Sequence, residues 1–168
     1  MRTTWTGTTR PAGGETRNGD GGLEAAWDLA AGPRAPAQAR ALTRRSLRRW
    51  RVTGPDDVDD VVLIVDELVA NAVVHGTGPV RLGLRLEAAP AGVRLTGEVG
   101  DADPRAPGVP AGPPPVLDWA EAGRGLLLVA SLATEFGTRP APPGKTIWFT
   151  RELDPLDAPA LTLGAPAR

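Results

Sequence analysis

The sequence predicts an α/β fold with helices on one face of a mixed, mostly antiparallel sheet. Two observations carry this. Apolar residues recur at helical spacing over 36–50 and 56–75, then at every second position over 80–99. The elements follow in the order helix, helix, strand, strand, loop, helix, strand, strand, which suits helices layered on one side of hairpin-built sheet.

Residues 1–22 are rich in Gly, Thr and Arg and poor in apolar side chains. They are expected to be a disordered tail. The folded domain is expected over 23–153, opening with a short strand at Trp27–Leu29. Pro36–Trp50 reads as a helix, with Ala39, Leu42, Ser46, Leu47 and Trp50 inward. Arg40, Arg44, Arg45, Arg48 and Arg49 surround them as a candidate partner surface, or simply a solvated face. Thr53-Gly54-Pro55 breaks that helix. Asp56 and Asp57 suit the positive end of the next one, which runs to His75 and stops at Gly76. Val80, Leu82, Leu84 and Leu86 alternate with Arg81, Gly83, Arg85 and Glu87, as in a half-buried strand. After a turn over 89–92, Val93, Leu95, Gly97 and Val99 form its hairpin partner. Residues 100–123 are Pro- and Gly-rich, a loop long enough to suggest function. Gly125 is expected to open a third helix through Leu132. Glu135–Thr138 and Lys145–Arg151 close the domain as a hairpin around Pro142-Pro143-Gly144. Residues 154–168 are expected to be a flexible tail.

The 168 residues fit one domain with a real core, and the net charge of −1 gives no footprint of nucleic-acid binding. With no cysteine, disulfides, thiolate catalysis and zinc–sulfur sites are excluded. That composition fits a reducing, cytoplasmic setting. No apolar run approaches the roughly 18 residues of a membrane span.

Glu67, Asn71 and His75 stand four apart on the second helix and so form one polar stripe. Asn71 offers a carboxamide oxygen to a hard cation such as Mg²⁺. Glu67, one turn earlier, is placed to deprotonate a hydroxyl or water. The plainer alternative is a polar side facing solvent. Asp101, at a strand end before Asp103, is able to accept from an exocyclic amine, or merely to close an Asx turn. Gly123-Arg124-Gly125-Leu126 suits backbone approach to phosphate at a helix start, although glycine-rich helix starts without ligands are frequent. Gly144-Lys145-Thr146 is not a phosphate-binding P-loop: position 139 is Arg rather than Gly, and Ile147-Trp148-Phe149 reads as a strand.

Taken together, Glu67-Leu68-Val69 with Asn71, His75 and Gly76, then Asp101 with Asp103 and Pro107, then Gly123-Arg124-Gly125-Leu126, then Gly144-Lys145-Thr146-Ile147-Trp148 resemble a known superfamily. It unites DNA gyrase, the ninety-kilodalton heat-shock chaperone, histidine kinases and MutL. Within it the chain is most similar to the anti-sigma-factor serine/threonine kinases, in the short single-domain form abundant in actinobacteria. The resemblance covers about 25–152.

It implies a left-handed, two-layer α/β sandwich of the Bergerat type with ATP under a lid at 104–122. It implies Asn71 as the Mg²⁺ ligand, Glu67 as general base and Asp101 as acceptor for the adenine amine. Gly123, Arg124, Gly125 and Leu126 would lie by the phosphates, and Thr146 would help bind the base. Asp103 stands where the superfamily usually has Gly, and its like charge would lower nucleotide affinity. The resemblance further implies a sigma factor and an antagonist protein as partners, and a homodimer as an available state. Neither nucleic acid nor membrane is expected to bind directly. A binding module that holds ATP without transferring phosphate is the alternative reading.

Overall fold

The computed structural model describes residues 14–17, 21–90, 92–103 and 119–153. The elements are β1 (Gly14–Arg17), β2 (Leu23–Leu29), α1 (Ala35–Arg49), α2 (Pro55–His75), β3 (Val80–Ala89), β4 (Gly92–Asp101), α3 (Trp119–Leu132), β5 (Glu135–Ala141) and β6 (Gly144–Leu153). The strands form one sheet in the order β1-β2-β3-β4-β6-β5, and every pairing among the described residues is antiparallel. The sheet has no parallel pair among the described residues: β3–β4 and β5–β6 are hairpins, while β2 reaches β3 through α1 and α2, and β4 reaches β6 through α3 and β5.

Two stretches differ from expectation. Gly14–Arg17 pairs with β2 as an edge strand inside the segment read as a tail. An open strand edge offers backbone partners to almost any sequence, so side-chain pattern gave no warning. The third helix begins at Trp119, six positions before Gly125. Ala120, Glu121 and Ala122 are good helix formers and carry it back into the segment read as loop. The rest of the expected lid, 104–118, and the expected tail at 154–168 lie outside the described residues.

The strand residues that alternate inward line one face: Ala25 and Leu29 of β2, Val80, Leu82, Leu84 and Leu86 of β3, Val93, Leu95 and Val99 of β4, and Phe149 of β6 are all buried. α2 covers this face through Val61, Ile64, Val65, Leu68, Val69 and Ala72. α1 flanks it through Ala35, Ala39 and Leu47, and α3 through Val129. Phe149 lies over Gly97, its partner in the β4–β6 register, where any side chain would overlap the ring. On the other face Trp148 lies in the same way over Gly137. Among the described residues no helix packs on that face, which carries cross-strand ion pairs, with Arg81 on Asp28, Arg94 on Glu152 and Arg139 on Glu98.

Charge also ties the helices. Arg40 and Arg44 of α1 reach Asp66 and Asp59 of α2. Those two arginines of the candidate partner surface are thus engaged within the domain. At the start of α2, the Arg151 Nη2 lies 3.0 Å from Asp57 and 2.7 Å from Asp60. The Arg151 Nη1 donates to the Leu132 carbonyl at the end of α3. One guanidinium thus joins β6, α2 and α3, while satisfying a carbonyl left over at a helix end.

Candidate nucleotide site

The polar stripe of α2 meets a glycine. A Cβ added to Gly125 would collide with the Glu67 carboxylate and lie 3.8 Å from Asn71 Nδ2. α3 therefore crosses α2 with bare backbone against Glu67 and Asn71, both half-buried. His75 ends the helix exposed to solvent.

The same helix end abuts Asp101. The residue after His75 is Gly76, and a Cβ there would lie 2.8 Å from both Cβ and Cγ of Asp101. Gly144 is pressed on the other side, where a Cβ would lie 2.7 Å from the Ala102 Cα. The Ala102 N–H donates to the Thr77 carbonyl at 2.8 Å, which fixes this corner. The Asp101 side chain is only 3% exposed, and its Oδ2 lies 3.4 Å from Lys145 Nζ. Oδ1 accepts the Asp103 N–H at 2.9 Å. Asp103 thus serves Asp101 with its backbone.

From Glu67 to Gly76 the helix rises about 13 Å. Glu67, Asn71 and Asp101 accordingly line one elongated wall, with a proton acceptor and a carboxamide at one end and a buried carboxylate at the other. Such a wall suits a long ligand with an amine at one end and an anion near the glycine-bearing helix.

A profile of the histidine kinase-like ATPase domain matches residues 29–151. The chain belongs to the histidine kinase-like ATPase domain family. An ATPase domain of this kind binds ATP, and the wall just described is where this one offers polar groups. Among solved structures the domain is similar to the crystal structure of the RsbU and RsbW domains of Rv1364c from Mycobacterium tuberculosis. Identity is 24% and the TM-score 0.54, a likeness of fold. It covers 77% of this chain and 32% of that one, so the chain spans about a third of that protein's length. No curated protein matches.

Not every anticipated residue of the ATPase domain reaches the wall. Gly123 to Leu126 lie inside α3 rather than at its start, so the helix N-terminus does not cap the Gly-Arg-Gly-Leu box. Leu126 packs against the core, and the Arg124 side chain lies outside the described residues. Thr146 pairs with Gly100 on the open face, across from Arg139 of β5. Its Oγ1 lies 3.4 Å from where a Gly100 Cβ would be, away from the helices. Lys145, not Thr146, is the β6 residue in register with Asp101. Residue parity could have shown this: buried Phe149 and half-buried Ile147 put 145, not 146, on the covered face.

Proposed function

We propose that the protein is an ATP-dependent protein serine/threonine kinase of the anti-sigma-factor type. It would act in the cytoplasm, phosphorylate an antagonist protein and sequester a sigma factor. The observation that carries this reading is the meeting of Glu67, Asn71 and Gly125 on two crossing helices, with buried Asp101 at the end of the same wall.

In this reading Asp101 accepts the adenine amine, and the backbone around Gly125 leaves room near the phosphates. Glu67 takes the proton from the attacking serine or threonine hydroxyl. Asn71 supplies one neutral oxygen to Mg²⁺. Among the described residues no group of three His, Asp or Glu forms a metal site of its own. A sparse protein ligand set fits magnesium shared with phosphates and water. When bound, the ion offsets the charge that builds on the phosphates, and the chain's own contribution is positioning.

One observation favours ATP binding without transfer. The Gly125 backbone packs closely on the Glu67 carboxylate and crowds the approach of a hydroxyl to it. Incubation with radiolabelled ATP and candidate antagonist proteins tests the kinase reading, alongside Mg-ATP calorimetry. Label on the antagonist supports a kinase. Tight binding with no label on any partner leaves the binding module.

A further inference from the structure

Lysine occurs once among the 19 basic residues of this chain, and it stands opposite Asp101 in the β4–β6 register. Each other ion pair described above uses arginine. The choice matters at a carboxylate that must also accept from a ligand. An arginine fork presents parallel donors and occupies both oxygens, whereas an ammonium is a compact charge with three separate donors. Here the ammonium approaches one oxygen and a backbone N–H the other, so each oxygen keeps acceptor capacity. The ammonium in turn directs one donor at Asp101 and has others to give. The Lys145 side chain is 17% exposed and that of Asp101 3%, so the lysine is the more accessible side chain of the two.

A donor beside an acceptor matches the edge of adenine. There the exocyclic amine donates and the adjacent ring nitrogen N1 accepts. We propose that Lys145 reads the base directly, its ammonium donating to ring N1 while Asp101 accepts from the amine. This rests on the reading of the site as an adenine-nucleotide pocket. It makes Lys145 a specificity-determining residue rather than a structural ion-pair partner.

The test compares Mg-ATP with 1-deaza-ATP, whose ring carries C–H in place of N1, by calorimetry on the full chain. Hydrogen bonds to charged groups contribute about 1.5–3 kcal/mol, so wild type should bind the analogue at least about tenfold more weakly. In Lys145→Met the two nucleotides should bind with nearly equal affinity, with thermal unfolding confirming a folded variant. A purely structural ion pair would lower both affinities and leave their ratio unchanged. Equal binding of both by wild type overturns the proposal, whatever the variant does. A persisting tenfold ratio in Lys145→Met overturns it too. Binding of neither nucleotide by wild type removes the nucleotide reading and this inference together.

Discussion

The two ends of α2 use charge in opposite ways. At its start, Asp57 and Asp60 converge on Arg151, which also holds the last carbonyl of α3. Opposite charges there attract and fasten three elements. Toward its end, Glu67 and Asn71 face the backbone of Gly125, and Gly76 makes room for Asp101. Glycines there clear space that side chains would fill. One continuous helix is thus fastened by ion pairs at its start and closely met by glycine backbone toward its end.

Four substitutions bear on that contrast. Glu67→Gln should have the largest effect and confine it to chemistry. Phosphate transfer should fall about 10²- to 10⁴-fold, the range for a lost general base, with ATP affinity and urea midpoint nearly unchanged. Full-rate transfer by this variant would remove Glu67 from its role. Arg151→Met should do the reverse. Breaking a largely buried charge cluster costs about 3 kcal/mol, read as a lower urea midpoint, while ATP affinity of the folded fraction stays close to wild type. A stability change under about 1 kcal/mol would mean that the base of α2 is not anchored there.

Gly125→Ala sits between the two. Helix propensity gains up to about 1 kcal/mol, and crowding against Glu67 offsets it, so stability should barely move. Transfer should drop about tenfold, because the carboxylate is displaced from its position. Arg44→Ala should matter least. Its pair with Asp59 is exposed, and its loss should shift the urea midpoint by no more than about 0.5 kcal/mol.

The sequence made much of this legible, for local reasons. α2 announces itself because Val61, Val65, Leu68 and Ala72 repeat at its own period, and the stripe of Glu67 and Asn71 follows from the same count. The β3–β4 hairpin reads off its alternation. What stayed hidden depends on contacts distant in sequence. Gly14–Arg17 is held by pairing with β2, not by its own pattern. The burial of Asp101 depends on Gly76 and Gly144, which are 25 and 43 residues from it. Lys145 rather than Thr146 stands opposite Asp101, which a parity count along β6 foreshadows although no motif states it. The start of α3 was obscured because glycines and prolines nearby suggested loop, while Trp119 to Ala122 were already helical.

Arg151 also has a mechanical consequence. It grips α3 at the final carbonyl, Leu132, and the Thr134 N–H is bound to the Thr150 carbonyl just beyond. A rod fixed at one end is a lever. Gly125 lies seven residues from that pivot, about 10 Å along the helix axis. A tilt of about 10° there would swing Gly125 through nearly 2 Å by the same geometry, enough to lift bare backbone off the Glu67 carboxylate. A small rotation at the Leu132 end of α3 is thus magnified where Gly125 meets Glu67.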